Sequence, residues 1–156
     1  MRLLPNLVAG TAALIRAMSP RTALCTAAAR PAPANTVVIE PTSGEQRYTI
    51  VFLHGLGDQA HGWASIMPEV DSILPEGVAG HVRWLLPNAP ERPITLNGGL
   101  RMPGWSDVYG LGPSDAEDAK GFDESAARVG EIVAAEIEAG VPASSIVVGG
   151  LSLIHI

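Results

Sequence analysis

From Thr36 onward, short β-branched apolar runs alternate with stretches whose apolar residues recur every three or four positions, and each change of period marks a new element. "TVVIEP" (36–41) and "YTIVFLHG" (48–55) read as strands, the second apolar enough to be buried on both faces. In "WASIMPEVDSIL" (63–74), Trp63, Ile66, Val70, Ile73 and Leu74 fall at helical spacing, and Pro68 restricts the helix to a short or bent one. "HVRWLLPNAP" (81–90) is a third strand closed by Pro87 and Pro90. Residues 88–120 form a polar, Gly/Pro-rich excursion of the kind that carries function. The strongest helix signal runs from Gly121 to Glu138, where Phe122, Ala126, Val129, Ile132, Val133 and Ile137 make one stripe. Gly140 supplies its C-cap, Pro142 forbids its return, and "SSIVVGG" (144–150) is a fourth strand. Strands alternating with helices predict an α/β architecture with a mostly parallel sheet and ligand chemistry at the carboxyl ends of the strands.

Upstream of Thr36 the composition changes. The first 39 residues carry Arg2, Arg16, Arg21 and Arg30 and no acid, while the remainder holds six basic against sixteen acidic side chains. Residues 1–35 therefore read as a leader and linker: Ala-rich and acid-free like an organelle transit peptide, or simply disordered, ending in the Pro/Ala-rich "ARPAPAN". Arg16 and Pro20 interrupt the most apolar stretch, so no bilayer-spanning segment is expected. The acidic, scattered charge of the body argues against nucleic acid. Cys25 is the only cysteine, which excludes an intrachain disulfide framework and a multi-cysteine zinc site.

Two strand ends carry candidate chemistry. "FLHGLGDQAHGW" (52–63) turns sharply on glycines and leaves amide N–H groups able to face a developing oxyanion. Its glycines do not fit the G-x-G-x-x-G dinucleotide spacing. His54 and His61, seven residues apart with no third ligand nearby, fit no zinc spacing and read as braces of the turn. In "SSIVVGGLS" the last strand runs into Gly150-Leu151-Ser152, the first half of the G-x-S-x-G turn that exposes a nucleophilic serine, but Ile154 occupies the place of the closing glycine. Each motif alone is weak; their order is that of an α/β-hydrolase.

"FLHGLGDQAHGW", "PNAPERPITLNGGLRMPGWSDVYGL" and "GVPASSIVVGG" together resemble the acyl-protein thioesterase and lysophospholipase family of phospholipases and carboxylesterases, from about Thr49 to Gly150. The resemblance implies an α/β-hydrolase domain whose N-terminal part is residues 36–150, truncated after the nucleophile strand. It further implies a serine hydrolase of long-chain thioesters or carboxylesters, with Ser152 at the nucleophile position and no metal or cofactor. The backbone N–H groups of Leu56 and Leu153 would be the oxyanion donors, and Leu56, Leu96, Val108 and Leu111 match positions lining the acyl channel, with ordinary core packing as their alternative role. Trp105 matches an exposed aromatic at the channel mouth, and Ser106 replaces the large aromatic usual beside it. Implied partners are an S-acylated protein or a lysophospholipid, with peripheral membrane contact. The expected location is cytoplasmic, or mitochondrial or plastidic where the leader acts as a transit peptide.

The family pattern continues Gly-Phe-Ser-Gln-Gly-Gly, whereas here Leu153 and Ile154 stand where Gln and Gly belong. Residues 151–156 are therefore expected to be a non-native tail: the codons CTG TCT CTT ATA CAC ATC, a transposon-adapter end, spell "LSLIHI". The triad's aspartate and histidine are expected beyond this sequence, and His54, His61, His81 and Asp107 are not recruited in their place, because the fold's order is Ser, Asp, His. An inactive acyl-binding fragment or pseudo-enzyme is the alternative.

Overall fold

The computed structural model describes residues 32–112 and 115–151, together with the backbone of a two-residue strand at 25–26. Most of the leader, and the tail from Ser152, lie outside these residues. In chain order the strands are β1 (Cys25–Thr26), β2 (Thr36–Ile39), β3 (Glu45–Gln46), β4 (Tyr48–Leu53), β5 (Val82–Pro87), β6 (Glu91–Ile94), β7 (Leu100–Pro103) and β8 (Ile146–Gly150). The α-helices are α1 (Ala60–Ala64), α2 (Met67–Ser72) and α3 (Ala119–Glu138).

The four expected strands form one sheet in the order β2-β5-β4-β8. β4 runs parallel to both β5 and β8, and β2 lies antiparallel on β5. Hydrophobicity sets which residues are buried but not the direction of an edge strand, so this reversal was invisible in the pattern. β5, paired on both sides, is buried along its whole length. Its alternate side chains divide between two layers, as period two requires. Val82, Trp84 and Leu86 join Tyr48, Ala60 and Met67 under α1 and α2, whereas Leu85 joins Val51 and Ile132 under α3.

The region from Ala60 folds as two short helices, the first starting before the expected Trp63, with Pro68 in the first turn of α2, where its missing N–H costs nothing. Ile73 of the expected stripe is left 82% exposed. Helix α3 starts two residues before the expected Gly121, because Asp118 caps it by accepting the Gly121 N–H at 3.0 Å. It closes with Gly140 N–H on Ile137 O and Val141 N–H on Glu136 O, the Schellman pair that the glycine signalled.

The buried face of α3 differs from the apolar stripe. Ile132 is buried, but Phe122 and Ile137 are 51% and 45% exposed, while Glu136 is only 4% exposed. Glu136 accepts hydrogen bonds from Gln46 Nε2 (2.9 Å) and Thr49 Oγ1 (2.7 Å) and pairs with Arg83 Nη1 at 3.1 Å. Arg83, on the α3 side of β5, also reaches Glu40 at 3.3 Å. A buried carboxylate is tolerated only when paired and hydrogen-bonded, and this one turns the helix so that Glu136, rather than Ile137, meets the sheet.

Within the long excursion β6 and β7 pair as an antiparallel hairpin, an element the polar composition concealed. No helix among the described residues is long and apolar enough to cross a membrane.

Candidate active site

The buried strand β4 ends at Leu53, and the chain then leaves the sheet through His54-Gly55-Leu56-Gly57. A glycine-rich turn has many conformations to lose, so holding one geometry requires bracing from outside. Two pieces of the excursion supply it. From the end of β5, Asn88 Oδ1 accepts the Ala60 N–H at 2.8 Å and the Ala89 N–H donates to His54 Nε2 at 3.0 Å. From β7 and the turn after it, Pro103 O accepts the Gly57 N–H at 2.8 Å and the Trp105 indole N–H donates to His54 O at 2.9 Å. Gly57 sits at φ +76°, in the left-handed region where a side chain would be strained.

Asp58 closes the turn. Its carboxylate accepts the Gln59 N–H at 2.7 Å and the Trp63 indole N–H at 2.5 Å. Those two bonds, the backbone one first, hold its pKa below the ordinary 3.8. His54 is 1% exposed with both ring nitrogens engaged, so it braces the turn and has no nitrogen free for proton transfer. His61 is exposed on α1.

The Leu56 N–H makes no hydrogen bond among the described residues. Leu56 lines an apolar groove of about 470 Å³, walled by Leu53, Trp105, Val108, Phe122, Val129 and Val148 and reaching Gly150 and Leu151 at the end of β8. Gly150 is there because β8 passes close to β4: a Cβ would lie 2.9 Å from the Leu53 carbonyl oxygen. One step on, the Leu151 N–H donates to that same oxygen at 3.1 Å. Thus a residue with an unpaired amide, an apolar groove and the strand that runs toward Ser152 meet at one end of the sheet.

Of the residues singled out in the sequence, Leu56, Trp105 and Val108 share this groove. Leu96, on the turn between β6 and β7, is 44% exposed, and Leu111 is 68% exposed; neither contributes to the wall. Trp105, expected as an exposed aromatic, is partly buried and tied at both ends: its indole to His54 O and its carbonyl to the Ser125 hydroxyl of α3. Ser152 and Leu153 lie outside the described residues.

Asn88, Ala89, Asp107, Asp118 and Ser125 were not recognised in the sequence as builders of this site. Asp107 takes the Thr95 N–H (2.7 Å), the Thr95 hydroxyl (2.6 Å) and the Val108 N–H (2.7 Å), which fixes the strip bearing Val108. Asp118 takes the Asp107 N–H at 2.8 Å and pairs with Arg92 at 3.4 Å, joining that strip to the start of α3. The Thr95 hydroxyl chiefly lowers the Asp107 pKa, and the Asp107 N–H chiefly lowers that of Asp118. Only the Asp118 cap had a local signal, an acidic residue three positions before Gly121.

Comparison with known proteins agrees with this layout. The profile of the phospholipase/carboxylesterase family matches residues 34–153. Acyl-protein thioesterase 1 of Schizosaccharomyces pombe is 39% identical over 118 residues, covering 76% of this chain and 50% of that protein. Acyl-protein thioesterase 1 of Cryptococcus neoformans is 40% identical over 107 residues, covering 67% and 43%. Among solved structures, Zea mays acyl-protein thioesterase 2 superposes with a TM-score of 0.61 at 35% identity, over 76% of this chain and 46% of that one. Arabidopsis thaliana SOBER1 gives 0.62 at 29% identity, over 68% and 50%. The chain spans about half the length of the curated relatives it matches. With strand order, glycine turn and family profile in agreement, the chain belongs to the phospholipase/carboxylesterase family and has an α/β-hydrolase fold.

Proposed function

We propose that this chain contributes the oxyanion turn, the acyl groove and the nucleophile strand of a serine hydrolase acting on long-chain thioesters or carboxylesters. Its substrates are S-acylated proteins, the class named for its thioesterase relatives, with lysophospholipids as the second class and peripheral contact with a membrane to collect either. The observation that carries the proposal is that Leu56, whose N–H is unpaired among the described residues, lines an apolar groove that reaches the end of the strand leading to Ser152. Ser152 attacks the acyl carbonyl, and the Leu56 N–H, with the N–H of residue 153, receives the oxyanion. The groove holds the acyl chain at roughly 0.8 kcal/mol per buried CH₂.

No general base is available among the described residues, since the one histidine lining the groove has both nitrogens occupied. The base and its orienting carboxylate therefore come from outside the described residues, and the 156-residue chain is expected to be inactive on its own. A fluorophosphonate probe, which phosphonylates only an activated serine, tests this on the chain alone and on the product of the recloned transcript. Labelling at the Ser152 position in the second and none in the first is expected. A transcript product that carries a later acid and imidazole yet stays unlabelled overturns the esterase reading, and labelling of the chain alone overturns its inactivity.

A further inference from the structure

The aim of the Leu56 N–H is itself set by a side chain. In a trans peptide the carbonyl oxygen and the next N–H point in opposite directions across one rigid plane. Gly55 O and the Leu56 N–H belong to the same plane, so whatever pins the oxygen aims the proton. Gly55 O accepts from His54 Nδ1 at 2.8 Å and from the Asp58 N–H at 3.2 Å. A carbonyl can only accept, so Nδ1 carries the hydrogen; the Ala89 N–H can only donate, so Nε2 is bare. The two partners together select the neutral Nδ1–H tautomer. The preceding plane is pinned likewise, because His54 O takes the Trp105 indole N–H at 2.9 Å while the two rings pack at 5.5 Å.

Resting on the esterase reading above, we infer that His54 is a positioning residue for the oxyanion turn: its Nδ1–H holds the Gly55–Leu56 peptide so that the Leu56 N–H faces the groove. Trp105 is its outer lock. His54 borders the groove, but both its ring nitrogens are engaged by backbone groups, so it acts on the oxyanion through the backbone. Losing it leaves the Gly55–Leu56 peptide held only by the longer Asp58 N–H bond, which loosens its aim and weakens stabilisation of the oxyanion but leaves the groove intact. The consequence falls on kcat rather than KM.

The test uses the complete gene product, with reactive serines counted by fluorophosphonate titration so that unfolded molecules do not enter kcat. Four variants separate the roles. His54→Phe keeps bulk and loses both bonds; His54→Gln places an acceptor near Ala89 but no donor at Gly55 O; His54→Asn places an amide N–H where Nδ1 was; Trp105→Phe removes only the indole donor. His54→Phe and His54→Gln are expected to lower kcat tenfold or more, toward the roughly 10²–10³-fold of a wholly lost oxyanion donor, with KM held within about twofold. His54→Asn recovers much of the loss, and Trp105→Phe gives a smaller decrease of the same kind. Ring-nitrogen NMR of the unmodified protein is expected to show the Nδ1–H tautomer. An Nε2–H tautomer, an undiminished kcat in His54→Phe, or Asn no better than Gln overturns the inference. A rise in KM with acyl length at constant kcat in Trp105→Phe makes Trp105 a wall only and removes it as the lock. Should the unmodified protein be neither labelled nor active, the esterase reading falls alone. The tautomer, and faster amide exchange at 55–57 in His54→Phe than in His54→Asn, still decide the positioning role.

Discussion

Replacing Glu136 by Ala removes a carboxylate that is 4% exposed and serves three donors, from Gln46, Thr49 and Arg83. Breaking a buried ion pair from one side costs about 3–5 kcal/mol, because the other charge stays buried without its counter-ion. Two features decide where in that range the loss falls. Arg83 retains Glu40 at 3.3 Å, but Glu40's side chain is 55% exposed, so this pairing is weakened by water and offsets only part of the loss. The Gln46 and Thr49 donors each forfeit a bond worth about 1 kcal/mol. The expected loss is therefore about 3–4 kcal/mol, or roughly a 10 °C fall in Tm for a chain of this size. Urea unfolding followed by circular dichroism, at submicromolar protein to limit association, measures it. Arg83→Met combined with Glu136→Leu should lose less than Glu136→Ala, since no lone charge remains in the core. A Glu136→Ala loss under about 1 kcal/mol, or a double variant worse than the single one, would refute the claim that this network seats α3.

Gly150→Ala places a methyl 2.9 Å from the Leu53 carbonyl, backbone that cannot move aside, and should cost about 1–3 kcal/mol while splaying β8 from β4; loss of amide protection confined to 146–151 checks it. Asp58, Asp107 and Asp118 have depressed pKa values, so the unfolded chain binds more protons in acid, and stability rises with pH there. That contribution is complete above the ordinary 3.8 and drains away as pH falls through the depressed values, so urea midpoints should drop below about pH 4 and stay flat, for these groups, above pH 5. Among the described residues β8 pairs only with β4, and Val148, Leu151 and Phe122 are about half exposed near its free side. The chain alone should therefore self-associate; a monodisperse monomer in sedimentation at micromolar concentration would contradict this.

The sequence made the sheet strands, the presence of short helix after β4 and the C-cap of α3 legible because each is written locally, in periodicity or in a Gly or Pro; the break into two helices before Met67 was not. What it concealed depends on partners distant in the chain. Glu136 lies off the apolar stripe of α3, and its meeting with distant Gln46, Thr49 and Arg83, the last 53 residues away, makes it a core residue. The β6–β7 hairpin lies in a polar segment with Pro93 inside β6, so neither apolar alternation nor strand composition announced it. At the site, the glycine turn could be read from "HGLG", and Leu56, Trp105 and Val108 do share one groove. The braces could not: Ala89 and Pro103 act through backbone atoms, which no side-chain pattern reports. Trp105 was expected to be exposed from the family resemblance, and its indole bond to His54 O, across 51 residues, leaves no trace in the sequence.

The central claim is that the Leu56 N–H is an oxyanion donor facing the serine position. A crystal structure of the complete gene product phosphonylated at that serine measures it directly. The phosphoryl oxygen is expected 2.7–3.1 Å from Leu56 N, with the alkyl group along Trp105 and Val108. An oxygen turned away from Leu56 N, or Leu56 N bonded to another protein group in that adduct, would contradict the account.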